Sequence, residues 1–154
     1  MKKLCKATCL TLVFVIAFMI SGCNVSTSKS YSFDVETGDR IKVTLDTSGD
    51  LSLSQKDGHF IVTEEDEKIL EGIFIHEEGY KAYVDIKGEQ GMTLLEDTQK
   101  DGNRYYMYEF DGTVGTEDNF VMWIDDSNTG LIMASLAGRD KAKEAFERLT
   151  IEKE

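Results

Sequence analysis

The chain has 154 residues, 41% of them apolar, and 29 Asp and Glu against 17 Lys and Arg, for a net charge of −12. That length is one domain's worth and is enough to bury a real core. The acidic balance excludes nucleic acid as a partner, because phosphate recognition rests on clustered cations that this chain lacks.

The N-terminus opens on Lys2, Lys3 and Lys6, followed by the uncharged run Leu10 to Ile20. Crossing a bilayer takes about 20 apolar residues. A run of eleven falls instead in the range of a secretory signal's apolar region, about 7–15 residues. Ile20-Ser21-Gly22-Cys23 follows directly, and this tetrad resembles the lipobox of bacterial lipoproteins, with isoleucine where leucine is commoner.

The resemblance implies that the Cys23 thiol receives a diacylglyceryl group and that a peptidase reading Ile20, Ser21 and Gly22 cuts just before it. Ser21 and Gly22 are small enough to leave the thiol accessible. Each buried CH₂ of an acyl chain contributes ~0.8 kcal/mol, so two chains anchor stably where one does not. Residues 1–22 are therefore expected to be a removed signal. Cys23 is expected to hold the protein on the extracytoplasmic side of the cell membrane.

Removal of the signal takes Cys5 and Cys9 with it, so Cys23 is the sole remaining cysteine and no internal disulfide can form. No thiol is left for catalysis or for zinc. Three of the seventeen cations also leave, so 14 face all 29 acids at a net −15. An anionic membrane repels such a domain, and the lipid alone is expected to hold it. Proline is absent, so no prolyl isomerisation slows folding.

Residues 23–30, with the polar run Asn24 to Ser30, read as a tether, and 31–154 as a single globular domain. Period-2 alternation runs through Tyr31 to Val35, Ile41 to Leu45, Leu51 to Leu53 and Phe60 to Val62, with Gly/Asp turn signals between them. Asp57-Gly58 is the clearest tight turn. Glu64 to Glu67 reads as a solvated acidic loop. Strands are then expected at Ile69 to His76, Tyr80 to Lys87, Met92 to Asp97, Asn103 to Phe110, Asn119 to Ile124 and Gly130 to Leu136.

From Arg139 to Leu149 the period changes: Ala142, Ala145, Phe146 and Leu149 recur at steps of three and four, which predicts an amphipathic helix. Gly138 breaks the strand before it, Asp140 is the expected N-cap, and Glu144 and Arg148 can pair at i,i+4. Leu149 to Ile151 either adds a short strand or packs the tail. The fold class is α+β: about nine to ten antiparallel strands with one C-terminal helix packed on them. The alternative is a small lipocalin-like β-barrel with the helix at its side.

The last third has an aromatic strand, then Ser127 and Thr129 to Ile132, then a helix closing on Leu-x-Ile. This order resembles the PsbP-like α+β domains of some bacterial lipoproteins. The N-terminal part departs from that pattern, lacking the apolar Trp/Pro segment.

Few residues carry chemistry. Nucleophilic catalysis needs a base set on a nucleophile, and the two histidines, His59 beside a turn and His76 beside Glu77 and Glu78, read as surface residues. Asp125, Asp126 and Asn128 resemble a calcium-loop fragment, but counting from Asp126 the twelfth position is Ala137, not glutamate. An Asx hairpin turn fits better. No catalytic residue, metal site or cofactor is assigned.

The aromatic strands remain. Tyr106, Tyr108 and Phe110 share one face and Tyr105 and Met107 the other, while Phe120 and Met122 oppose Val121 and Trp123. Two apolar faces mark central strands covered on both sides. If the helix leaves part of them open, Tyr105, Met107 and Trp123 line a groove for a ligand; otherwise they are core. The resulting expectation is an envelope module binding a small molecule or an envelope protein. The alternative is a carboxylate-based hydrolase or an enzyme's accessory subunit. The first predicts an exposed aromatic patch, the second two close acids in a cleft, one with a perturbed pKa.

Overall fold

Three two-residue turns set the strand order: Asp57-Gly58 (φ 52° and 81°), Glu65-Asp66 (47° and 69°) and Asp101-Gly102 (53° and 88°). With both central residues left-handed, each matches the twist of the strands it joins. The computed structural model describes residues 27–86, 88, 89 and 91–154. The expected signal, its lipobox residues Ile20, Ser21 and Gly22, and Cys23 lie outside the described residues.

The elements, in chain order, are β1 (Ser28–Asp34), β2 (Arg40–Asp46), β3 (Leu51–Lys56), β4 (His59–Glu64), β5 (Glu67–Ile75), α1 (Glu77–Asp85), β6 (Met92–Lys100), β7 (Asn103–Gly112), β8 (Gly115–Trp123), β9 (Gly130–Ser135), α2 (Arg139–Glu147) and β10 (Leu149–Lys153). They form two sheets, ordered β1-β2-β10 and β3-β4-β5-β9-β8-β7-β6. All pairings are antiparallel. This is the α+β arrangement, with ten strands and the C-terminal helix on the sheet; neither sheet closes into a barrel.

The small sheet and α2 cover one face of the large sheet. Ile41, Val43 and Leu45 of β2, Leu149 and Ile151 of β10 and Ala142, Ala145 and Phe146 of α2 meet Phe60, Val62, Met107, Phe120, Met122, Leu131 and Met133 in one core. Phe146 stacks on Phe120 at 4.3 Å and sets its edge on Tyr105 at 4.8 Å. Full burial of each such side chain contributes about 1.5–3 kcal/mol, so this face carries the domain's stability.

The opposite face of β7 and β8 carries a second cluster, Tyr106, Tyr108 and Val121, covered by Tyr80 and Val84. Those two belong to α1, which corrects the expected strand Tyr80 to Lys87, whose last residue lies outside the described residues. The alternation Tyr80, Ala82, Val84 also contains the i,i+4 spacing of a helix face, and short apolar runs do not separate the two periods. Glu77 and Glu78 fall in the first turn, where the helix dipole favours acids. The helix reaches the sheet over Gly130, where a Cβ would lie 3.0 Å from Tyr80 Cβ.

Three further expectations are corrected. β1 begins at Ser28, inside the stretch read as tether, because Ser28 to Ser30 pair with Asp46 to Thr44. The acidic run is no loop beyond Glu65-Asp66, since Glu64 and Glu67 face each other across the β4–β5 hairpin. The N-cap of α2 is Gly138 (φ 94°) without a side-chain cap, and Asp140 lies in the first turn.

Candidate functional site

The Asp57-Gly58 turn ends β4 at His59, and the last rung between β4 and β5 joins Phe60 to Gly72. β5 runs on: Ile73, Phe74 and Ile75 pair with Ile132, Leu131 and Gly130 of β9 on its other side. Past the hairpin, β5 therefore has a strand on one flank and an open flank on the other. The segment joining β1 to β2 folds over this gap, closed by hydrogen bonds from Val35 N to Asp39 O (3.0 Å) and Gly38 N to Val35 O (2.9 Å). The result is a cleft of about 650 Å³, a size usual for ligand sites.

Its floor is apolar. Phe33, Phe74, Ile73 and Ile75 line it, and Phe33, Phe60 and Phe74 form a tilted triangle with centroids 5.2 to 6.3 Å apart. Gly72 makes this packing possible: a Cβ there would fall inside the Phe60 ring. The rim is polar, with Asp34 and Glu36 on the β1 side, Lys56, Asp57 and His59 at the hairpin tip, and His76 at the far end.

The rim groups are only partly engaged. His59 Nδ1 lies 2.9 Å from Glu71 Oε1, and Lys68 Nζ donates to Glu71 Oε2 at 2.8 Å. These two bonds hold the Glu71 carboxyl below the usual range. His76, the residue that opens α1, has Nε2 3.7 Å from Glu36 Oε2, outside hydrogen-bond distance. Asp34 pairs with Arg40 at 3.2 Å.

The overhanging segment is pinned by Asp39. Its buried carboxylate accepts from Asn128 N (2.7 Å), Thr129 Oγ1 (2.9 Å) and Lys153 Nζ (2.9 Å). Thr129 Oγ1 in turn lies 2.5 Å from Thr37 Oγ1. One side chain thus ties the roof of the cleft to the β8–β9 turn and to β10. The bond from Lys153, then that from Asn128, holds the Asp39 carboxyl down at about 2.

The aromatic residues singled out from the sequence are not gathered. Tyr105 and Met107 point into the main core under α2, where Tyr105 Oη donates to Glu96 Oε2 at 2.6 Å. Burial and that bond push its phenol up. Trp123 lies on the other face, 5.1 Å from Tyr80. Asp126 and Asn128 belong to the β8–β9 connection, where Ser127 Oγ bonds Ile124 O at 2.7 Å and accepts from Thr129 N at 3.0 Å. Among the described residues, no three His, Cys, Asp or Glu side chains assemble as a metal site requires.

A pair of close acids does occur. Glu109 and Asp118 face each other across β7 and β8. Arg139 bonds Glu109 and has Nε 3.6 Å from Asp118 Oδ1, which has no hydrogen-bond partner. Burial raises the Asp118 carboxyl. The residue is 2% exposed and does not line the cleft between β1, β4 and β5.

What sequence reading missed is the cleft that both histidines line. One signal was legible: the strand pattern from Ile69 to His76 is longer than its hairpin partner at Phe60 to Val62. An unequal pair leaves an overhang. No family model, curated protein or solved structure matches this chain.

Proposed function

We propose that this protein is a lipid-anchored module of the cell envelope that binds a ligand or partner in the cleft at the end of β4 and β5. The observation that carries the binding reading is the cleft's lining, an apolar floor of Phe33 and Phe74 under a rim of polar groups. Apolar floors with a few convergent polar groups are how proteins hold small ligands and peptides. The close acids Glu109 and Asp118 lie outside this cleft, so the hydrolase alternative draws no support from it.

The anchor rests on the lipobox-like tetrad Ile20 to Cys23. No helix among the described residues is long and apolar enough to cross a membrane. A domain at −15 offers no electrostatic hold on anionic lipid, which leaves the acyl chains on Cys23 as its attachment.

Two experiments test these statements. In cells fed an alkyne fatty acid, the chain becomes labelled and shortened, and Cys23→Ser abolishes both; persistent labelling of that variant defeats the anchor. For the cleft, a fragment screen read by amide chemical shifts should perturb residues 32–37, 55–59 and 73–76. Fragments that bind elsewhere, or nowhere, defeat the site.

A further inference from the structure

The gap beside β5 has the shape of a missing strand. In an antiparallel sheet, successive residues direct their N–H and C=O alternately to one neighbour and to the other. His59, the first residue of β4, stands opposite Ile73, while Phe74 and Ile75 lie past it and meet β9 on one flank, so this short stretch presents main-chain groups to the cleft on the flank that β4 has left. Open strand edges are templates for another strand, and peptide-binding domains use them so, with main-chain bonds for affinity and pockets for side-chain choice.

Resting on the cleft as the binding site, we propose that its ligand is an extended peptide segment of a partner protein, apolar and basic in alternation. It occupies the line that β4 vacates and pairs antiparallel with Phe74 and Ile75. The floor of Phe33 and Phe74 takes an apolar side chain pointing inward. The next residues meet the rim, where Asp34 is already paired with Arg40, Glu36 and Asp57 outnumber Lys56, and the Glu36 side chain is 95% exposed. The hairpin tip at Asp57-Gly58 closes one end and His76 the other, which limits the bound stretch to a few residues. A second copy of this chain is a poor occupant, because two domains at −15 repel.

The test uses the full chain in detergent and three capped synthetic heptapeptides. One alternates lysine and valine, one alternates glutamate and valine, and the third is the lysine peptide with alternate main-chain amides N-methylated. The lysine peptide is expected to bind and to slow amide exchange in residues 74–75. N-methylation should weaken binding at least tenfold, and the glutamate peptide should not bind. Because both positions are on the rim, Glu36→Gln with Asp57→Asn should weaken the lysine peptide roughly fivefold without altering the melting temperature.

Equal binding of the N-methylated or the acidic peptide overturns strand addition, as does protection elsewhere. Protection of residues 74–75 by self-association, without peptide, makes a second copy the occupant and also overturns it. If fragments perturb the cleft but no peptide binds, the site stands and this inference falls. If neither binds, both fall.

Discussion

At the scale of single residues, three side chains decide more than their number suggests. Asp39 joins three segments distant in sequence through its Asn128, Thr129 and Lys153 bonds. Its carboxyl is held at about 2 against an ordinary 3.8. A depressed carboxyl contributes stability that is present above the unfolded value and lost as pH falls from about 4 towards 2. Asp39→Ala should cost roughly 3–5 kcal/mol at pH 7, since it leaves Lys153 and two donors unpartnered, and much less at pH 2. Urea titrations at both pH values check this.

Asp118 works in the opposite sense. Burial raises it above its ordinary 3.8, so its contribution to stability is full below that value and is lost as pH rises through the raised folded one. Asp118→Asn should stabilise by about 1 kcal/mol at pH 7, with the gain vanishing near pH 3. A melting temperature that drops at pH 7 defeats the assignment. Gly72 is a third decisive position: Gly72→Ala drives a methyl into the Phe60 ring and should cost about 1–3 kcal/mol by overpacking, read as a lower denaturation midpoint.

At the scale of elements, α1 and β5 carry the lessons. α1 has no buried residue and no side-chain N-cap, and it rests on the sheet through Tyr80 and Val84. Its amides should exchange faster than those of β7, β8 and β9, because local opening follows the number of buried contacts. Trp123 is the single tryptophan and lies 5.1 Å from Tyr80, so it reports on this docking. Tyr80→Ala should shift its emission to longer wavelength and cost about 0.5–1.5 kcal/mol. An unchanged spectrum means that α1 docks without that contact.

The strands themselves were largely legible, since apolar alternation and the turn signals between segments mark β1 to β9 within a few residues. The α2 helix was legible for the same reason, from Ala142, Ala145, Phe146 and Leu149 at steps of three and four. α1 was not, because Tyr80 and Val84 satisfy both periods and only the aromatic face of β7 and β8 selects the helical one. The two-sided burial of those strands was foreseen; the second cover was misread as one more strand.

At the scale of the whole molecule, the sequence by itself determined the charge, the one-domain size, most of the strands, the C-terminal helix and the lipobox-like tetrad, because each is a local property of composition or spacing. Tertiary structure alone decided which faces meet. It put Tyr105 and Met107 under Phe146 and Trp123 on the opposite side, since a strand sends neighbouring side chains to opposite faces and only the layers decide what covers each. It also brought His59 and His76 to one cleft and buried Asp118 beside Arg139. The cleft exists because two paired strands differ in length and a distant turn, pinned by Asp39, folds over the difference. That relation joins residues about 90 positions apart, and no local pattern encodes it.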